Sequence, residues 1–398
     1  MWRRPQRRHE CRRGRQECLR HVRKNSPMEL AVVARRLSGP LTGVGRYLEY
    51  LLYHWGRTDS PFHRIIAYAP SPPSLDPATI TGRVELRILP TRLPPLAWEN
   101  LLLPLRMGRP DVTFGPYTLP WRSPGIAVVS NLGIYESRPE DFSWSQRART
   151  VPFFRHSARR ARLVIANSDS TRRDLVRYLG VEDSKIRVIF PGIDEAFRPL
   201  GGDTVPARLA SAWRVPAGPF FLFVGKLSKR RNIPLLLDAF ARLRHDRSIP
   251  HSLLIVGPDY LHVDAPRLIA ERRLQGAAFY VPFAPREDLV ELYSAATAFV
   301  LPTLHEGFSF TILEALACGA PVVTFDHPPL HEAGVREATL AIENPTAEAL
   351  YEALCEILDH PDRRDQLRRA GLDCAARFSW KQVAAQTMEV LCEAAMVR

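Results

Sequence analysis

The sequence has no apolar run approaching the ~18 residues that a membrane span requires, which excludes insertion as a transmembrane helix. It also lacks low-complexity segments. With 45% hydrophobic and 24% charged residues it has the composition of a globular protein, so disorder throughout is excluded. None of its six cysteines, Cys11, Cys18, Cys318, Cys355, Cys374 and Cys392, forms a CxxC pair, and no two have zinc-site spacing. No metal site is expected, and the thiols read as reduced, in a cytosolic protein. Cys318, between Ala317 and Gly319, reads as a packed small hydrophobe and not as a nucleophile. There is no internal repeat, no GxGxxG and no P-loop lysine. Proline is plentiful instead, at 35 of 398 residues, and falls at strand edges and in loops such as Ala69-Pro70-Ser71-Pro72-Pro73.

The net charge of +13 is unevenly spread. Residues 1–27 hold ten Lys or Arg and two Glu, a net of +8, which leaves +5 for the other 371 residues. A nucleic-acid-binding role would therefore rest on this tail alone. The tail has no apolar stretch between its basic residues, so it is not a secretory signal, and Glu10 and Glu17 count against a transit peptide. The first strand-like run begins at Met28, which is the expected native start, with residues 1–27 a disordered upstream extension. The competing reading is a basic arm for acidic lipid or RNA.

From residue 28 onward, short β-rich apolar runs alternate with helical patterns, as in doubly wound α/β sheets covered on both faces. The expected strands are 29–34, 63–68, 84–89, 111–114, 126–130, 162–167 and 186–190, then 219–224, 252–256, 278–282, 298–301, 321–324 and 339–342. Expected helices are 44–55, 97–107, 145–160, 170–179, 233–245, 286–295, 309–318 and 346–359. A loop-like stretch from Phe197 to Pro219 marks the boundary between two similar domains, 28–198 and 199–379, whose cleft is the expected ligand site.

Three segments carry chemistry. In Pro302-Thr303-Leu304-His305-Glu306-Gly307-Phe308-Ser309, a strand gives way to a short loop and then a helix that includes Glu314. The helix N-terminus suits a diphosphate, and the two carboxylates suit hydroxyls of a sugar or ribose. In Phe223-Val224-Gly225-Lys226-Leu227-Ser228-Lys229-Arg230-Arg231, Gly225 lets the backbone come close while Lys226 and Arg231 can neutralise phosphate. Gly39 to Tyr47, with Gly43 and Gly45, is a weaker phosphate-loop pattern.

Together these segments resemble glycosyltransferase family 4, retaining sugar-nucleotide transferases of the GT-B fold. The likeness runs from about residue 28 to the end of the chain. It rests on Glu306-x7-Glu314 with Gly319-Ala320-Pro321-Val322, on Trp98-Glu99, Asn167-Ser168, Pro191-Gly192-Ile193-Asp194, Gly257 and the Asp288 to Tyr293 stretch, and on Phe378-Ser379-Trp380 before a last helix at 380–398. The resemblance implies two Rossmann-like domains facing a cleft, with that last helix returning to the first. It implies that Glu306 contacts the donor sugar, that Glu314 holds the ribose, and that Lys226 and Arg231 hold the diphosphate. Gly225, Gly307, Phe308, Ser309 and, from the first domain, Gly43 would border the phosphates. Where many members have a His-Asp pair, this chain has Val129-Ser130-Asn131-Leu132, so Ser130 or Asn131 would replace a sugar contact; His305, His327 and His331 do not sit at the matching place.

The implied reaction moves a sugar, with retention and without a metal or cofactor, from a nucleoside diphosphate to an acceptor hydroxyl. Mannosyltransferases of surface-polysaccharide assembly are the nearest resemblance, so GDP-mannose is the expected donor ahead of a UDP-sugar, and the acceptor a carbohydrate or lipid-linked glycan. Arg155, Arg159, Arg160 and Arg162 add an expected attraction to an anionic membrane at its inner face. The alternatives are a non-catalytic protein of the same fold and a sugar-nucleotide epimerase.

Overall fold

The computed structural model describes residues 28–39, 43–73, 75, 79–123, 125–131 and 144–396; the basic extension and Leu132 lie outside them. The chain divides into two units, one ending at Gly192 and resuming at Trp380, the other Ile193–Ser379.

In the first unit, seven strands form one parallel sheet: β1 Met28–Val33, β2 Phe62–Ala69, β3 Val84–Ile88, β4 Val112–Gly115, β5 Ile126–Asn131, β6 Leu163–Ala166 and β7 Ile186–Val188. Their spatial order is β3-β2-β1-β4-β5-β6-β7. The register pairs Leu30 with Ile65 on one side and with Val112 on the other. Apolar runs such as β6, buried along its whole length, form because helices cover both faces of the sheet. The helix Trp380–Met396 belongs to this unit: Trp55 Nε1 donates to the Ala384 carbonyl at 3.0 Å, Tyr50 stacks on Trp380 at 4.6 Å, and Arg187 pairs with Glu393.

The second unit repeats the plan with six parallel strands: β8 Phe220–Val224, β9 Ser252–Val256, β10 Ala278–Val281, β11 Ala298–Leu301, β12 Val322–Phe325 and β13 Leu340–Ile342, ordered β10-β9-β8-β11-β12-β13. β8 is Phe-Phe-Leu-Phe-Val, with all five residues buried. Each phenylalanine withdrawn from water contributes roughly 1.5–3 kcal/mol. The strand order reverses between β1 and β4 and again between β8 and β11, and ligands of such sheets bind beyond the strand ends at that point.

Several expectations shift. The units part at Gly192 and not at residue 198, because Ile193 bridges to Ser379 and Asp194 pairs with Arg286 at 2.6 Å, tying this segment to the second unit. The loop-like stretch 197–219 contains the helix Ala207–Trp213. The single helix expected at 97–107 is Pro95–Ala97, a π turn over Trp98–Leu102, then Leu103–Arg106. Asn100 Nδ2 occupies the Leu96 carbonyl at 2.8 Å, and Pro104 has no N–H to continue a regular ladder. The helix Pro361–Ala375 is not visible as a pattern in the sequence, because only Leu367, Gly371, Cys374 and Ala375 of its fifteen residues are buried, too few for a clear apolar stripe. Among the described residues, no helix is long and apolar enough to cross a membrane.

Candidate functional site

Two loops of the second unit meet at its strand-order reversal. The first leaves β8 at Gly225, whose φ is +152°. Its N–H donates to the Val256 carbonyl at 2.9 Å, and the Leu227 N–H donates to the Pro258 carbonyl at 2.9 Å, so the β8 and β9 exits run side by side. A Cβ on Gly225 would lie 1.6 Å from Arg231 Nη1, and one on Gly257, φ +138°, only 2.3 Å from the Gly225 carbonyl oxygen. Glycine is needed at both places because an arginine head and a peptide group fill the space a side chain would take. Lys229–Arg231 then forms one 3₁₀ turn, which closes on Asn232 in the left-handed region at φ +47°. Asn232 Nδ2 donates to the Pro302 carbonyl at 3.2 Å, fixing the turn to the second loop.

That second loop follows β11. The Leu304 N–H donates to the Arg230 carbonyl at 2.9 Å, and Arg230 Nη1 returns a bond to the His305 carbonyl at 2.6 Å. Glu306, 7% exposed, is held between two guanidinium groups: its Oε1 lies 2.5 Å from Arg230 Nη1 and 3.1 Å from Arg231 Nη2, and accepts from Thr303 Oγ1 at 3.3 Å. Burial alone would raise its pKa, but the charges of Arg230 and Arg231 prevail and hold it at about 2. Burial pushes the Arg231 guanidinium below its ordinary value, with Glu306 acting against it. The carboxylate is thus ionised at every physiological pH.

The helix Phe310–Ala317 begins just after Glu306. Ser309 sits at its N-cap, buried, yet its hydroxyl lies 3.1 Å from Thr311 Oγ1 and makes no bond to the first-turn amides. Those amides and the helix dipole are therefore available to an anion. Phe308 is buried against Phe378 at 5.8 Å, and Gly307 is half-buried in the turn. Glu314, half-buried, accepts from the Tyr293 hydroxyl at 3.2 Å. Lys226 is exposed, its Nζ 5.5 Å from the centre of the Tyr260 ring.

Of the residues read from the sequence, this geometry brings Glu306 and Arg231 into one ion pair and places Gly225 directly beneath Arg231. Arg230 is not distinguishable in the sequence from its neighbours in the run Lys229-Arg230-Arg231; only the turn shows that it faces the carboxylate together with Arg231. Ser228 Oγ, Arg231 Nε and both ring nitrogens of His327 are buried without a hydrogen-bond partner among the described residues, a concentration of unmet polar atoms around this loop pair. Burial pushes the His327 imidazole down to about 4. In the first unit, Gly43 opens the helix Gly43–Trp55, with residues 40–42 outside the described set. Ser130, 1% exposed, donates to the Tyr47 hydroxyl at 3.2 Å, so its side chain is engaged inside its own unit. The Asn131 side chain lies outside the described residues, though its backbone pairs with Ala166.

Two parallel α/β units, each with a reversal in its strand order, define the GT-B class of architecture. The comparisons agree with it. The family model "Glycosyltransferase Family 4" matches residues 41–197, and "Glycosyl transferases group 1" matches residues 214–373. The D-inositol 3-phosphate glycosyltransferase of Nocardia farcinica is 30% identical over 331 residues, covering 76% of this chain and 71% of that protein. The O-antigen chain mannosyltransferase B of Escherichia coli is 28% identical over 57% of this chain and 60% of its own length. That match, like several others, spans little more than half of the relative. Among solved structures, Anabaena Alr3699/HepE in complex with UDP and glucose superposes with a TM-score of 0.69 at 18% identity, covering 92% of this chain and 100% of that one. The chain belongs to glycosyltransferase family 4.

Proposed function

We propose that the protein is a hexosyltransferase that moves a sugar from a nucleoside diphosphate to an acceptor hydroxyl in glycan or glycolipid synthesis, with retention of configuration and without a metal. The observation that carries this reading is the buried Glu306 between Arg230 and Arg231, immediately ahead of an uncapped helix N-terminus. The closest contacts of Glu306 all fall on Oε1. This leaves Oε2 as the acceptor for a sugar hydroxyl, and a permanently ionised carboxylate accepts such bonds strongly. The diphosphate gains charge as the sugar leaves. Lys226, the remaining N–H groups of Arg231 and the first-turn amides near Gly307 and Ser309 meet that charge, while Glu314 takes the ribose hydroxyls. The acceptor attacks from the face of the departing phosphate, which takes its proton, so no protein nucleophile is required.

GDP-mannose is the proposed donor, ahead of a UDP-sugar. The E. coli relative, by its name a mannosyltransferase, supports the first; the Anabaena structure, with UDP and glucose bound, supports the second. The test is a thermal-shift panel of GDP, UDP and their sugars, followed by an assay for released nucleoside diphosphate. A ligand at a hundred times its Kd stabilises by ~2.7 kcal/mol, enough to move a transition by several degrees. GDP-mannose is expected to give the largest shift. If neither nucleoside diphosphate moves the transition, the reading fails.

A further inference from the structure

The first unit presents an apolar strip that its own chain does not cover. The stretch from Pro95 to Arg106 buries Trp98, Glu99 and Leu103, and leaves Leu96, Leu101 and Leu105 outward at 39, 62 and 82% exposure. In a regular α-helix, residues five apart diverge by about 140°. The wider π turn over Trp98–Leu102 brings Leu96 closer to the face of Leu101, and Leu105 follows one turn later. Trp121, 52% exposed, extends the strip: its backbone N–H donates to Asn100 Oδ1 at 2.9 Å and its ring lies 5.4 Å from that of Phe153.

The arginines that flank this strip in the sequence, Arg92, Arg106, Arg109 and Arg122, are exposed and leave positive charge without an ion pair among the described residues. Between Arg92 and Arg122 the sequence has two carboxylates. Glu99 is turned inward onto Arg35 and Thr118, at 3.1 and 2.6 Å, and Asp111 accepts the Glu29 N–H at 2.7 Å. Outward leucines, an amphipathic indole and uncompensated arginines are the composition of a surface that lies in a lipid headgroup layer.

We propose that this face docks on an anionic bilayer, with Leu101, Leu105 and Trp121 entering the boundary between headgroups and acyl chains and the arginines resting on anionic headgroups. The proposal stands on the surface of the first unit alone and is independent of which sugar is transferred. The arginines supply long-range attraction, and the leucines supply the part that salt does not screen.

The test is flotation of the full chain with vesicles of phosphatidylcholine alone or mixed with phosphatidylglycerol. The wild type should bind the mixed vesicles and leave the neutral ones. The double variant Leu101→Ser, Leu105→Ser should lose at least tenfold in partitioning with an unchanged thermal transition, since both side chains are already exposed. Arg106→Gln with Arg109→Gln should lose roughly thirtyfold at low salt and little at high salt. Three outcomes would overturn the proposal: no binding of the wild type to mixed vesicles; leucine variants that bind like wild type, which would place the attraction in residues 1–27; or leucine variants that abolish a dimer in sedimentation while vesicle binding persists, which would make the strip a protein interface.

Discussion

Replacing Glu306 by Gln keeps the shape of the side chain and removes its charge from between Arg230 and Arg231. Two consequences follow, and they separate. The first is stability. The carboxyl has a pKa of about 2 in place of an ordinary 4.5, and at ~1.36 kcal/mol per pH unit this difference amounts to roughly 3 kcal/mol for a group that solvent does not screen. Because the folded value lies below the unfolded one, the contribution is complete above pH 4.5 and is lost as pH falls toward 2. The same figure sits at the lower end of the 3–5 kcal/mol that breaking a buried ion pair costs. At pH 7 the variant should lose ~3 kcal/mol, which lowers the melting temperature of a unit of this size by about 6–12 °C. At pH 3 the gap should shrink to roughly half, because the unfolded chain's carboxyl is by then almost fully protonated while the folded one, with its pKa of about 2, is still mostly ionised. Differential scanning calorimetry of both proteins at pH 7, 5 and 3 measures this. A shift under about 2 °C at neutral pH, or a gap that stays constant down to pH 3, would refute the ion-pair reasoning. The second consequence is activity: assayed well below the melting transition, the variant should fall at least tenfold in kcat/KM, because the amide is a weaker acceptor for a sugar hydroxyl.

Gly225→Ala should destabilise by at least ~2 kcal/mol in urea titration, since its Cβ would displace the Arg231 guanidinium at a backbone angle that L-residues rarely adopt; a neutral result would show that the loop relaxes. His327 is held near pKa 4 against an ordinary 6.5, with Glu306, His305, Asp326 and Arg230 around it, so the unfolded chain takes its proton first and the wild type loses stability as pH falls from 6.5 to 4. His327→Leu should gain about 3 kcal/mol on wild type across that window, and parallel stability curves would disprove the assignment. Lys226→Ala should cost ten- to a hundredfold in kcat/KM, as expected for one charge-assisted hydrogen bond, while EDTA leaves turnover intact. Turnover abolished by EDTA and restored by Mg²⁺ would replace this account with a carboxylate metal site.

Much of this molecule is legible in its sequence, for local reasons. A run such as Phe220-Phe221-Leu222-Phe223-Val224 is apolar throughout and short, which suits only a strand covered on both faces, and the structure places β8 there. The Glu306-x7-Glu314 segment, with Gly307 inside it and Gly319 after it, likewise reads as a loop running into a helix. Positions at which one residue must answer to backbone geometry, such as Gly225, are visible as glycines, but their reason is not: the atom that forbids a side chain belongs to Arg231.

What only the tertiary structure decides is partnership between distant residues. Arg230 meets the Glu306 loop because β8 and β11 are neighbours in the sheet although two strands separate them in the chain, and strand order is set by the packing of the whole unit. The 3₁₀ turn closed by Asn232 then chooses which two cations of Lys229-Arg230-Arg231 face the carboxylate. Ser130 reads as an open polar position after a strand, yet folding buries it onto Tyr47 from eighty-three residues away. The outward leucines have the same origin. Leu101 and Leu103 are identical in the sequence, and the π turn with the packing of Trp98 decides that one is exposed and the other buried. Propensity and patterning act over a few residues and fix the elements, whereas sheet order and side-chain partners depend on contacts that close only when the chain has folded.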